Sequence, residues 1–281
     1  MNFKIIHETT YLFNDKVFLE PHYLRFRPKQ TPFIKVNNFS IALKSEPEGH
    51  RVIEDEENNV IDFFWFEELT KKLTITVESS LQTKEYNPFN FIIHPDSFNT
   101  IPFTYSENQH QILYPSLQKV ALAQELIDYA GAILDASNFN TIAFVSNLTK
   151  QIHADFIVEY REDGPPLSPS NTFDIKKGSC RDLSWMQINM LRTYGIAARF
   201  VSGYFYFEMD KPVYELHAWV EIFMPGTGWL GFDPSHGILT GNTHFSIASS
   251  AIPENTMPVS GGIRGSATSQ LITNLVIEKQ Q

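Results

Sequence analysis

The sequence predicts an α+β fold: a core of one helix packed on an antiparallel sheet, preceded by an all-β, sandwich-like domain. Three observations predict it. Residues up to about 105 read as successive strands and turns with no helical period. Residues 178–195 read as a single capped helix with an apolar face. Residues 214–234 read as two alternating strands around a turn rich in Gly and Pro. The expected domains are therefore 1–105 and 106–281, which suits a chain of 281 residues. Hydrophobic residues make up 42%, enough for a substantial core.

The N-terminal elements follow from alternation and turn chemistry. Residues 3–13 form a first strand, with Asn14 and Asp15 as its turn. Residues 17–27 form a second, ended by Pro28, and 34–43 a third. Residues 51–53 and 60–66 flank an acidic turn, Glu54 to Asn59. That run lacks the alternate-position ligands of a calcium loop, so a solvated hairpin tip is expected. Residues 73–79 alternate cleanly. Residues 83–117 hold Pro88, Pro95, Pro102 and Pro115 among aromatics and read as a linker wrapped on the surface.

Helices are expected next. Pro115 would start one over 117–130, with Gly131 at its end. A second covers 137–152, with Ile142, Val145, Leu148 and Ile152 on one stripe. Residues 156–161 read as a short strand, and the Pro- and Ser-rich residues 162–172 as a loop ahead of the next helix. In that helix Ser179 is a good N-cap, and Asp182 in the first turn suits the helix dipole. Leu183, Met186, Met190, Leu191 and Tyr194 share a face, and Gly195 supplies the left-handed residue after the end. A strand over 199–207 and a closing strand over 270–278 complete the series.

The single cysteine, Cys180, falls at the first turn of the 178–195 helix, where free N–H groups and the dipole stabilise a thiolate. A lone cysteine is also readable as a small buried hydrophobe. The following hairpin changes the balance. His217, Trp219, Glu221 and Phe223 share one face of a strand. Pairing Phe223 with Trp229 puts Asp233 diagonal to His217, and closing the turn one pair differently puts it directly opposite. Either register brings imidazole and carboxylate within reach. Nucleophile, base and orienting carboxylate are thus available as Cys180, His217 and Asp233.

The order Cys, His, Asp, with the Cys opening a helix and the others on adjacent strands, resembles the transglutaminase-like branch of the papain-type superfamily. The resemblance is carried by Gly-Ser-Cys-Arg-Asp at 178–182, Leu-Arg-Thr-Tyr-Gly-Ile-Ala-Ala-Arg-Phe-Val-Ser-Gly-Tyr at 191–204, His-Ala-Trp at 217–219 and Gly-Trp-Leu-Gly-Phe-Asp-Pro at 228–234. Thr-Thr-Tyr-Leu-Phe at 9–13, Leu-Arg-Phe-Arg-Pro at 24–28 and Asp-Glu-Glu-Asn-Asn-Val at 55–60 are similar to the β region that precedes this core in bacterial relatives. The resemblance implies a papain-like core and a Cys–His–Asp triad working through a thioester. It implies a cysteine protease or amidase acting on a peptide, a protein or a small amide. Transfer to an amine, as in a transglutaminase, and a non-catalytic peptide-binding module are the alternatives.

Other residues carry two readings each. Tyr160 resembles a tyrosine the family places before its cysteine, or it packs. Trp219 walls the site against water, or it packs in the core. Arg181, beside Cys180, either favours the thiolate or faces solvent. Arg199 is expected to pair with Asp182 as a structural bridge. His236 raises a four-ligand metal set with Cys180, His217 and Asp233, but no compact spacing motif forces it, and no metal or cofactor is expected. Lys and Arg total 22 against 32 Asp and Glu, a net charge of −10, which argues against nucleic acid and anionic membrane partners. The first residues show no secretory apolar segment and no run approaches a membrane span, so a cytoplasmic protein is expected. Nothing in the sequence indicates the oligomeric state.

Overall fold

The computed structural model describes residues 1–161, 164–209 and 212–280. The N-terminal strands are β1 (Asn2–Leu19), β2 (His22–Leu24), β3 (Ile34–Lys44), β4 (Gly49–Glu54), β5 (Val60–Trp65) and β6 (Leu69–Thr83). Where a turn was expected at Asn14 and Asp15, β1 runs straight through. Its register against β6 shifts between Leu12 and Val17, so the polar pair marks a bulge rather than a reversal. The chain changes sheet later, at Pro21, before β2.

Next come α1 (Glu107–Leu117), α2 (Gln124–Ala136), α3 (Thr141–Asp155), β7 (Ile157–Val158), α4 (Pro169–Ile175), β8 (Lys177–Gly178) and α5 (Cys180–Thr193). Pro115 does not start a helix; it lies in the last turn of α1, where only two more residues follow before the helix ends. The start is Ser106, which forms a capping box with Gln109, a signal the Pro-rich surroundings mask. Gly131 is interior to α2 rather than at its end. Of the loop expected at 162–172, Glu162 and Asp163 lie outside the described residues. Its second half becomes α4, capped by Ser168 with Pro169 at the first position.

The sheet of the C-terminal half is β9 (Ala198–Phe205), β10 (Leu216–Met224), β11 (Gly228–Asp233), β12 (Ile238–Leu239) and β13 (His244–Ser250), in the order β12-β11-β10-β9-β13, all antiparallel. Helix α5 packs on β10 and β9. It is not one-sided: Asp182 to Arg192 are all buried except Trp185. The donors of its buried polar members find partners inside, although the side-chain oxygens of Gln187 and Asn189 accept no hydrogen bond among the described residues. Gln187 donates to Thr149 Oγ1 at 2.7 Å, and Arg192 donates to the carbonyls of Ala198, Ala251 and Gln118.

The chain closes with β14 (Val259–Ser260), β15 (Ile263–Arg264) and β16 (Ser269–Gln280). These return to the N-terminal half. β16 pairs with β1 from Asn2↔Gln280 to Phe13↔Ser269, and β15 pairs with the far end of β1. A boundary at residue 105 therefore does not follow the sheets, because the last strands of 106–281 complete the first sheet. The cause is the hydrogen-bonding edge of β1, together with Leu275 and Ile277, which pack with Phe3 and Ile5. One N-terminal sheet runs β15-β1-β6-β3, with β16 beside β1, and the other β14-β2-β5-β4. Leu19, Leu24, Phe26, Phe64, Leu73 and Ile75 join them in one core, the expected sandwich. The same face of the first sheet, nearer its Phe3 end, packs on the C-terminal half through Tyr204, Phe245 and Ile247.

The acidic turn is not a solvated tip. Asn59 is fully buried; its side chain donates to the Ser249 carbonyl and accepts from the Ser249 N–H, at 3.0 and 2.8 Å. Glu57 accepts from the Ala251 N–H at 3.0 Å. The turn thus clamps the end of β13 with backbone-like bonds. Among the described residues no helix is long and apolar enough to cross a membrane.

Candidate active site

Asp182 builds the turn that presents the cysteine. One carboxylate oxygen accepts from the Ser179 N–H and hydroxyl, at 2.8 and 2.7 Å. The other accepts from Arg161 Nη2 and the Leu167 N–H, both at 2.7 Å. Gly178 permits the approach, since a Cβ there would stand 2.8 Å from Asp182 Cβ. Cys180 is the first residue of α5 and is half-buried. Its backbone N–H belongs to the first turn, which has no intrahelical acceptors.

The hairpin supplies the other two groups. Phe223 pairs with Trp229, the first of the two registers considered, so Asp233 lies diagonal to His217. His217 Nε2 donates to Asp233 Oδ2 at 2.7 Å. That leaves Nδ1 for Cys180, which is a hydrogen-bond and charge partner of the ring. Burial opposes charge on His217, but the carboxylate of Asp233 and the thiol outweigh it and raise its pKa from 6.5 to about 10. Burial likewise opposes charge on Asp233, yet His217, His236 and His244 hold it well below the usual carboxylate range. The three residues expected to assemble do so.

Two further histidines converge on the same oxygen. His236 Nδ1 donates to Asp233 Oδ2 at 2.9 Å and His244 Nε2 at 3.3 Å, while the Ser235 N–H binds Oδ1 at 2.9 Å. His236 was noticeable from its spacing. His244 was not: it arrives on β13, whose neighbour is β9, across a register shift between Ser246 and Ala248. As for a metal, ligand atoms of His217, Asp233 and His236 lie within 4.8 Å of one another. The fourth residue of that set, Cys180, approaches the opposite side of the imidazole, so the four cannot share one ion. Shared protons already bridge the other three.

Residues 132–234 match the transglutaminase-like superfamily, and residues 3–82 match the bacterial transglutaminase-like N-terminal region. The chain thus carries a transglutaminase-like core behind a bacterial transglutaminase-like N-terminal region. It is 36% identical over 76 residues to an uncharacterized protein, YebA, of Bacillus subtilis, covering 23% of this chain and 10% of that one. It is 34% identical over 73 residues to a protein-glutamine gamma-glutamyltransferase of Pseudomonas aeruginosa, covering 24% and 11%. The chain thus spans about a tenth of the length of these two relatives. A crystal structure of a candidate cysteine protease from Cytophaga hutchinsonii superposes with a TM-score of 0.72 at 18% identity, covering 100% of this chain and 92% of that one. The likeness extends to the whole fold, N-terminal sandwich included.

Around this transglutaminase-like core the remaining candidates separate. Arg181 turns its guanidinium to the carbonyls of Gly164, at 3.0 Å, and of Arg161, so it ties down the preceding loop. Trp219 is 2% exposed and lies beneath the histidines, its ring edge-on to His244 at 5.4 Å. It packs and does not wall the cleft. Arg199 pairs with Glu221 at 2.7 Å, not with Asp182, because the β9–β10 register sets them directly opposite. Its guanidinium also stacks on Trp229 at 3.9 Å. Asp182 takes Arg161 instead. Tyr160 is exposed and lines the same cavity as Cys180 and His217, which has a volume of about 630 Å³. Its far side is β1 and β16.

Proposed function

We propose that the protein is a thiol enzyme that hydrolyses an amide bond of a peptide or protein, with Cys180, His217 and Asp233 as its triad. The observation that supports this best is the His217–Asp233 hydrogen bond of 2.7 Å, made while the ring's other nitrogen is left to a cysteine at a helix start. The Cys180 sulfur attacks the carbonyl carbon, and the carbonyl electron pair moves onto oxygen. The Cys180 backbone N–H is placed to donate to that oxyanion, with Tyr160 the candidate for a second donor. Collapse breaks the C–N bond, and the amine leaves with a proton from His217. The neutral ring then takes a proton from water, whose oxygen attacks the thioester. The acid departs and the thiol regains its proton. Asp233 keeps the ring's tautomer and stabilises the imidazolium throughout.

The test is alkylation by iodoacetamide at pH 6. One equivalent should be incorporated at Cys180, and His217→Ala should slow it by roughly tenfold or more. A thiol that resists the reagent in the unaltered protein would sink the reading and leave a binding module.

One observation favours a second outcome, transfer to an amine. Glu215, two residues before His217, lines the cavity and has no ion-pair or hydrogen-bond partner among the described residues. Burial pushes its carboxyl pKa up, as expected for a carboxylate with no counter-charge. Such a group suits the distant ammonium of a diamine or the charge of a lysine. The P. aeruginosa relative, itself a gamma-glutamyltransferase, lends this the support of a match over 24% of the chain.

A further inference from the structure

The cavity that holds Cys180 and His217 is not closed by the catalytic half. Its opposite wall is made by β1 and β16, which pair from Asn2↔Gln280 to Phe13↔Ser269. Three cross-strand pairs face the cleft: His7 with Leu275, Thr9 with Thr273 and Tyr11 with Leu271. Each alternates with residues on the other side of the sheet, as strand geometry requires. We infer that this wall is a subsite for an extended, uncharged stretch of peptide on the substrate. The inference rests on the thiol chemistry proposed above for the reacting end of the same cleft.

Length and chemistry both point to peptide. From His7 to Tyr11 is four strand steps, about 14 Å, the span of roughly four extended residues. The pairs repeat every second residue, the period at which an extended peptide presents side chains to one face. In the middle rung Thr273 is exposed and can meet backbone polar groups, while the half-buried Tyr11 and Leu271 on one side and the buried His7–Leu275 pair on the other bound the places for side chains. The wall carries no charge at neutral pH. His7 has both ring nitrogens satisfied within the protein, by the Tyr204 hydroxyl and Thr9 Oγ1, each at 3.2 Å. Burial pushes its pKa down to about 4. The arginines of the cleft stand on the catalytic side, where Arg161 binds Asp182 and Arg181 binds backbone carbonyls. Thr9 and Leu275 are buried, so the rungs are fixed by the sandwich, whereas Thr273 is exposed to the cleft. The N-terminal sandwich is therefore part of the substrate site.

The test compares two thiol reagents on the whole protein. One is an acetylated, uncharged tetrapeptide chloromethyl ketone; the other, acetyl-glycine chloromethyl ketone, cannot reach the wall. The ratio of their rates at Cys180 should favour the tetrapeptide by roughly tenfold. Thr273→Trp, which fills the middle of the wall, should abolish that preference, while Asn274→Trp on the outer face of the same strand should keep it. Equal rates in the unaltered protein, or a preference that survives Thr273→Trp, would overturn the subsite. Binding is read separately, by fluorescence anisotropy of the labelled tetrapeptide amide on Cys180→Ala. If the thiol proves inert but this peptide binds and Thr273→Trp removes it, the chemistry fails and the wall stands. If the thiol reacts but no peptide binds, the wall fails alone.

Discussion

Asp233 lies diagonal to His217 across the β10–β11 hairpin, and their side chains meet at 2.7 Å. The same carboxylate is fully buried and accepts from His236, His244 and the Ser235 N–H as well. Asp233→Asn is therefore expected to do two things. It should slow Cys180 alkylation and any turnover by roughly tenfold or more, because an amide can favour the wrong ring tautomer. It should also cost about 3 kcal/mol of stability, since a charge-assisted buried cluster loses its charge. Labelling rate and melting temperature measured on the same mutant separate the two. A lower melting temperature with unchanged labelling of the folded protein would make Asp233 structural and leave a Cys–His pair.

That geometry was legible because it is local. Alternation about one turn puts His217 and Asp233 on one face in either of the two registers considered, while Cys180 was marked by its helix start and by the family order of the three residues. Long-range partners were not legible. His244 reaches Asp233 only because β13 lies beside β9, and Asn59 reaches Ser249 across 190 residues. The return of β16 to β1 is of the same kind: its alternation announces a strand but not the edge it will join. Arg199 was misassigned for a simpler reason. The β9–β10 register places Glu221 directly opposite Arg199, and a cross-strand pair outcompetes a partner on another element.

Stability should peak between mildly acid and neutral pH. His7 ionises near 4 when folded against 6.5 when unfolded, so between those values only the unfolded chain takes the proton. Stability then falls as the pH drops from 6.5 to 4, by about 3 kcal/mol for this group. His244, whose pKa burial also lowers, acts in the same direction. His217 acts oppositely. Its pKa is raised to about 10, so its contribution is full below 6.5 and is lost as the pH climbs through 10. Melting temperature measured from pH 4 to 10 should pass through a maximum, and His7→Gln should flatten the acid limb. A monotonic rise across that range would contradict the His217 assignment, and a monotonic fall the His7 one.

Asp182 holds Arg161, Leu167 and Ser179 together from a site only 1% exposed. Asp182→Ala removes one half of the α5 capping box and the buried carboxylate that Arg161 pairs with, for a loss of about 3 kcal/mol. Because it also frees the segment before α4, limited proteolysis should begin near residues 161–167. Chemical denaturation read beside the cleavage sites checks this. A stability change under about 1 kcal/mol would mean that Arg161 and Ser179 find other partners at little cost.

If the acyl group passes to an amine, Glu215 is the residue expected to select that amine. Its carboxylate lines the cleft two residues from His217 and meets no counter-charge among the described residues. Cadaverine and pentylamine have the same chain and the same reacting amine. They differ in one distant ammonium. If Glu215 receives that ammonium, an acyl-enzyme formed from an activated ester should prefer cadaverine by roughly threefold to fivefold, the worth of a half-exposed ion pair. The preference should vanish in Glu215→Gln and weaken as salt is raised, since screening acts on exposed pairs. Mass spectrometry of the two amide products and the free acid gives the partition directly. Free acid alone at high amine concentration would mean that water is the acceptor, and hydrolysis would stand without the second reading. Amide formation with no preference between the two amines would keep transfer but remove Glu215 from it.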